Sequence, residues 1–181
     1  MKKTIKMLAI AALSLAGFSA QAVSIVGPTV TYNGHQYTLL SSTDSWIDSE
    51  AFAVSQGGHL VAVNDGSEMN FLNSTFGANN LWLGLERTGP GVSDFIWSNG
   101  DALTFTNWAP SEPNNAGGSE NYVHTYANWG AWNDLSEGNG YAGAKFGVLE
   151  MVDIPEPGEI ALMFAGLGMM GLVLRRRKAG K

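Results

Sequence analysis

From Thr88 to Asn121 the chain carries no apolar repeat of helical or strand period, apart from the short pieces FIW and LTF. A structureless stretch of this length is uncommon inside a compact domain, and it marks either a functional loop or disorder. Disordered segments are poor in aromatics, whereas this one holds Trp97, Phe105 and Trp108. The stretch therefore reads as a loop ordered by a ligand, and the rest of the chain must supply the scaffold around it.

The flanking sequence supplies short elements in unalternated order. TVTYNGHQYTLL, residues 29–40, alternates β-branched and aromatic residues across Asn33-Gly34, the pattern of a hairpin. Ser45 and Asp48 have capping-box spacing, Ile47, Ala51 and Val54 follow at i, i+4 and i+7, and Gly57-Gly58 closes a first helix. HLVAV, 59–63, reads as a short strand, and Asp65 with Glu68 starts a second helix carrying Met69, Phe71, Leu72 and Phe76. LWLGL, 81–85, is an apolar strand, and NYVHTY, GAWND and KFGVLEMV supply closing strands. Two helices and several strands that do not alternate predict an α+β fold.

Both ends of the 181 residues read as addresses. Residues 1–22 combine Lys2, Lys3 and Lys6, the apolar run MLAIAALSLAGF and the ending Ala20-Gln21-Ala22, which is the make-up of a secretory signal peptide. The expected domain is 23–153, one core's worth of chain. Residues 154–181 begin with Pro155-Glu156-Pro157, continue with fifteen uncharged residues from Ile160 to Leu174, and end in Arg175, Arg176, Arg177, Lys178 and Lys181. A helix through that apolar run is about 22 Å long, short of a hydrocarbon core of roughly 30 Å. Two readings stand: a marginal membrane segment with its basic end cytoplasmic, or a final helix docked on the domain.

Charge narrows the partners. Arg87 and Lys145 are the only Lys or Arg between residues 23 and 153, against fourteen Asp and Glu, a formal balance of minus twelve. Nucleic acid needs a basic face and is excluded as a partner. The acidity is either a solvated surface or a site for divalent cations. Export without a single cysteine also means that no disulfide contributes to order.

Within SEPNNAGGSE and AWND, the residues Glu112, Asn114, Glu120, Asn133 and Asp134 each offer a side-chain oxygen, and none offers sulfur or imidazole. Hard cations want that chemistry: Ca²⁺ takes six to eight oxygens at about 2.3–2.6 Å in tolerant geometry, whereas Zn²⁺ prefers nitrogen and sulfur. Calcium is the expected metal. A cis Glu112-Pro113 bond would turn the residues on either side of the proline toward one point. The competing reading is that Asp and Asn in a loop form turns. Trp82, Trp97, Trp108 and Trp132 read as core or loop anchors, and Trp129, between Asn and Gly, as a candidate sugar contact. His35, His59 and His124 share no spacing and read as structural. No nucleophile elbow or cysteine nucleophile is present, so no catalytic residue and no enzyme activity is expected. A Glu112/Glu120 glycosidase pair would be a poor acid and base once neutralised by a metal.

GGHLVAVNDGSEMNFL, LWLGLERTG, NWAPSEPNNAGGSE and WND stand in the order and approximate spacing of the C-type lectin-like domain, and the resemblance covers nearly all of 30–152. It implies small antiparallel sheets, two helices and a long calcium-stabilised loop. It also implies that Glu112, Asn114, Glu120, Asn133 and Asp134 hold one Ca²⁺, whose coordination two vicinal sugar hydroxyls complete. In the family, Glu-Pro-Asn goes with equatorial 3- and 4-hydroxyls, as in mannose or glucose, and Gln-Pro-Asp with galactose. The family's cysteine pairs fall near Ala53 with Leu149 and near Tyr122 with Glu137, so both bridges are replaced here. Each would typically contribute about 2–4 kcal/mol. The run HTYANWGAWND is slightly longer than the usual approach to WND, which places Trp129 at the rim. The tail resembles the PEP-CTERM sorting signal, which implies a Gram-negative source, processing near Pro155-Glu156-Pro157 by an exosortase, and an envelope or extracellular destination. The expected function is calcium-dependent binding of polysaccharide or cell-surface glycan. The rival is a calcium-stabilised structural or adhesion protein that contacts protein instead of sugar.

Overall fold

Asn33 and Gly34 both take positive φ, 49° and 81°, as a two-residue hairpin turn with the right twist requires. They join β1 (Ile25–Tyr32) to β2 (His35–Thr43), paired antiparallel with an irregularity between Ile25 and Thr29. The computed structural model describes residues 22–43, 45–77, 80–126, 130–138, 143 and 145–152. The leader apart from Ala22, the tail with Pro155, Glu156 and Pro157, and Trp129 lie outside the described residues. Among the described residues no helix is long and apolar enough to cross a membrane, and the run 160–174, on which that expectation rests, is not among them.

Helix α1 (Trp46–Ser55) starts where expected, with the Ser45 hydroxyl accepting from Asp48 N at 2.9 Å. The face it buries differs from the expected one. Ile47 and Val54 are 50% and 51% exposed, while Trp46, Ser49 and Ala53 point inward. Trp46 decides the rotation. Its indole N–H donates to Leu83 O at 2.7 Å and its ring stacks on Tyr122 at 4.6 Å. A buried Trp removes more area from water than an Ile and a Val at a helix rim, and the pairing of its N–H fixes the angle.

Helix α2 (Gly66–Phe76) is capped by Asp65, whose Oδ1 accepts from Ser67 N and Glu68 N at 2.7 and 2.8 Å, and it buries Met69 and Leu72. Asp65→Ala is expected to cost about 1 kcal/mol. A thermal melt checks this, as a fall of a few degrees in Tm with no change in far-UV circular dichroism.

Between the helices only His59–Leu60 forms a strand, β3, while Val61, Ala62 and Val63 run on fully buried. Strand β4 (Leu81–Arg87) is central and buried on both faces, which is why LWLGL is continuously apolar. Gly84 allows it to pass Leu60, because a Cβ there would lie 2.4 Å from the Leu60 carbonyl oxygen. β5 (Phe95–Trp97) pairs with β4; β6 (Tyr122–Tyr126), β7 (Ala131–Leu135) and β8 (Lys145–Val152) complete a sheet of order β1-β2-β8-β4-β6-β7. Its pairs are antiparallel except β4 with β8. The architecture is the expected α+β one, with the strands joined into one mixed sheet.

The positions of the missing bridges are filled by packing. Ala53 and Leu149 are fully buried in one cluster with Leu40, Trp46, Leu60, Trp82 and Leu135. At the second pair, Tyr122 stacks on Trp46, and Glu137 Oε2 accepts from Trp46 N at 3.2 Å. Both ends of that lost bridge thus meet at the start of α1, where a carboxylate also suits the helix dipole.

Candidate functional site

The long loop owes its order first to aromatic packing. Trp132 on β7 is fully buried and sits edge-on to Trp97, Phe105 and Trp108 at 5.7, 5.8 and 5.7 Å between ring centroids. Two backbone bonds dock the loop beside it: Trp132 N donates to Asn107 O at 2.8 Å and Ala109 N to Trp132 O at 2.9 Å. The next residues, SEPNNAGGSE, are therefore delivered to the outer edge of β7. The Glu112-Pro113 bond is cis, and a short 3-10 turn spans Ala116–Gly118.

Asp134, fully buried on β7, gathers this segment. Its Oδ1 accepts from Asn114 N at 3.0 Å, and its Oδ2 accepts from Asn115 N at 2.9 Å. Glu120, also buried, accepts from Ala116 N at 2.7 Å, while its own N–H donates to Asn115 Oδ1 at 3.1 Å. The three bonds accepted by the carboxylates are charge-assisted, the strong kind. Glu112 reaches the same cluster, where its carboxyl group interacts with those of Asp134 and Glu120 and with the Asn114 side chain. Burial, then the interaction with the Asp134 side chain, then the charges of Asp134 and Glu120 push the Glu112 carboxyl up to about 7. Burial likewise raises Glu120, with Asp134 adding to the rise and the Ala116 amide and Arg87 opposing it.

Asn133 turns its amide nitrogen inward, donating to Asp134 O at 2.7 Å and lying 3.2 Å from His124 Nε2. Burial first, and then the charge of Lys145, hold His124 down at about 4. The ring is accordingly neutral near pH 7 and can accept from Asn133, a structural role of the kind expected. His35 and His59 are likewise held by Glu150 and Glu50, at 2.6 and 2.7 Å. Trp82 and Trp97, like Trp132, are core residues. Asp94 and Asp101 act as turn formers, accepting from Gly91 N and from the Asn64 and Asn99 amides.

Arg87 is the participant that the motifs miss. Its side chain is 4% exposed, and its Nη2 donates to Asp134 Oδ2 at 2.5 Å. Nε donates to Glu120 O at 3.0 Å, Nη1 donates to Gly91 O at 2.8 Å and to Val92 O, and the guanidinium lies over the Phe95 ring. The one available signal was scarcity, since only two Lys or Arg lie between residues 23 and 153.

The cluster thus sets three carboxyl groups against one guanidinium. Fully ionised, it carries two uncompensated negative charges, and Glu112 Oε2 is buried with no hydrogen-bond partner. A buried charge demands a partner, and an all-oxygen donor set with a two-charge deficit fits a hard divalent cation. Among the described residues no group of three or more His, Cys, Asp or Glu forms a metal cage as it stands. Two of the five candidates are asparagines, and the Asp134 oxygens already accept from the protein's own donors.

Comparison with known proteins identifies the domain and the tail. The profile of the Lectin C-type domain matches residues 42–139, and that of the PEP-CTERM protein-sorting motif matches 153–178. The human C-type mannose receptor 2 is 34% identical over 106 residues, 57% of this chain and 7% of that protein. The chain spans well under two thirds of the length of the curated relatives it matches. Among solved structures, the C-type lectin CEL-I from Cucumaria echinata superposes with a TM-score of 0.59 at 26% identity, covering 67% of this chain and 93% of that one. The cow CD23 carbohydrate-recognition domain, crystallised with a GlcNAc2Man3 oligosaccharide, gives 0.60 at 26%, covering 71% and 98%. With a domain profile matched over more than half its length and a sorting motif behind it, this chain belongs to the C-type lectin domain family.

Proposed function

We propose that the chain is an exported, calcium-dependent carbohydrate-binding module acting on polysaccharide or cell-surface glycan of the mannose and glucose type. One observation carries this reading: Glu112, Glu120 and Asp134 converge with a net deficit of two positive charges around an unpartnered Glu112 oxygen. Glu112, Asn114, Glu120, Asn133 and Asp134 would hold the ion, which supplies a Lewis-acidic centre for two vicinal hydroxyls. The side chains do the rest. Carboxylate oxygens accept from the sugar hydroxyls and the Asn114 amide donates to one of them, while Asn133, its amide nitrogen bonded to the Asp134 carbonyl and to neutral His124, offers its side-chain oxygen to the ion.

The Glu-Pro-Asn order and the oligosaccharide named with the cow CD23 domain support mannose-type sugars. The region 1–22 as a leader, exosortase processing near Pro155-Glu156-Pro157, and the run 160–174 as a passing membrane contact belong to the same proposal and are supported by the sorting-motif match. Trp129 is proposed at the rim of the sugar site. A shallow site of this type binds weakly, and useful adhesion comes from multivalency. A glycan array with and without chelator tests the reading: signal on mannose or glucose glycans that disappears with chelator is expected. Calcium stabilisation without any glycan signal would favour the protein-binding adhesion reading instead.

A further inference from the structure

Arg87 stands at the end of β4, yet its guanidinium joins four separate parts of the molecule. It bonds to the carbonyls of Gly91 and Val92, the Glu120 carbonyl and the Asp134 carboxylate, and it covers the face of Phe95. Glu120 lies just before β6 and Asp134 lies on β7, paired with Val123 of β6. These are the two segments that the family's second bridge, near Tyr122 and Glu137, would tie. A lysine could not substitute, since its ammonium is a point charge without a planar fork of donors. Asp134 in turn holds the amides of Asn114 and Asn115. The path from Arg87 to the ligand segment is therefore one side chain long.

We infer that Arg87 is the resident cation of this site, a positioning residue that keeps residues 112–120 in their binding arrangement whether or not calcium is present. The inference rests on the proposed calcium reading for its second half only. A guanidinium fixed on Asp134 Oδ2 supplies one positive charge permanently and leaves a deficit of two, the charge of the exchangeable ion. The segment then needs no metal to hold its shape, although the cysteine bridge is gone.

Amide hydrogen exchange on the full-length protein tests this, with Arg87→Met and Arg87→Lys beside the unchanged chain, each in chelator and in excess calcium. In chelator the unchanged protein should protect the Asn114, Asn115 and Ala116 amides, and Arg87→Met should lower that protection by at least about tenfold. The β2–β8 ladder serves as the internal reference and should change much less. Calcium should restore protection in Arg87→Met, and Arg87→Lys should fall between. A purely structural role would lower protection evenly and calcium would not rescue it, and either result overturns the inference. So would Arg87→Met protection within twofold of the unchanged protein in chelator. Should Arg87→Met fail to fold, Arg87→Lys carries the test alone: local loss at 114–116 supports the inference, and unchanged protection overturns it. If the unchanged protein shows no calcium response at all, the calcium reading fails, while the chelator arm still decides whether Arg87 positions the loop.

Discussion

Replacing Asp134 with alanine is expected to cost about 3–5 kcal/mol of stability and to abolish the calcium response. The carboxylate is fully buried, pairs with an Arg87 side chain that is only 4% exposed, and accepts the Asn114 and Asn115 amides. Truncation leaves a guanidinium uncompensated out of water and two amides without their acceptor, which is the costly way to break a buried pair. For a domain of this size that is a fall in Tm of roughly 10–20 °C. Thermal melts with and without calcium measure both effects. A double substitution, Asp134→Ala with Arg87→Met, should lose less than the sum of the two single changes, because the stranded charge is then gone. Strict additivity would show that the pair is not coupled.

The second large effect is on pH dependence, and its sign reverses when calcium is added. The Glu112 carboxyl is raised to about 7 by burial and by the Asp134 and Glu120 carboxyl groups. Its neutral form therefore stabilises the metal-free protein, fully below the ordinary carboxylate range and progressively less as pH rises through 7. Between pH 7 and 8, where His124 is neutral in the folded protein and mostly neutral in the unfolded chain, the chelated protein should melt at higher temperature as pH falls. Calcium requires the ionised carboxylate, so its affinity should weaken over the same change, approaching tenfold per unit below pH 7 for one displaced proton. Calorimetric titration at pH 8, 7 and 6 checks the affinity, and buffers of different ionisation enthalpy check the proton release. Glu112→Gln should flatten the profile. An affinity unchanged from pH 8 to 6 in the unchanged protein would remove Glu112 from the ion's ligands.

Local chemistry made much of the scaffold legible. Asn33-Gly34 announces a turn because few other pairs tolerate positive φ twice, and Asp65 announces α2 because a carboxylate satisfies two orphan amides. The rotation of α1 was not legible. The spacing of Ile47, Ala51 and Val54 identifies a helix, but the buried face follows Trp46, whose partners Leu83 and Tyr122 come from distant strands. The site divides in the same way. Glu112, Asn114 and Glu120 share one segment and Asn133 and Asp134 another, so their candidacy could be read from spacing. The role of Arg87 depends on β4 lying beside β6, and on β6 lying beside β7, which no local pattern encodes. The order of the loop was expected to come from a ligand. The Trp97, Phe105, Trp108 and Trp132 cluster shows that packing supplies much of it.

The ties that stand near the family's second bridge are a stacked Trp46–Tyr122 pair, a glutamate on a helix start and a forked guanidinium. None of them can be reduced, scrambled or mispaired. The domain can mature without a thiol oxidase, and its integrity is indifferent to the redox potential of whatever compartment it crosses or settles in.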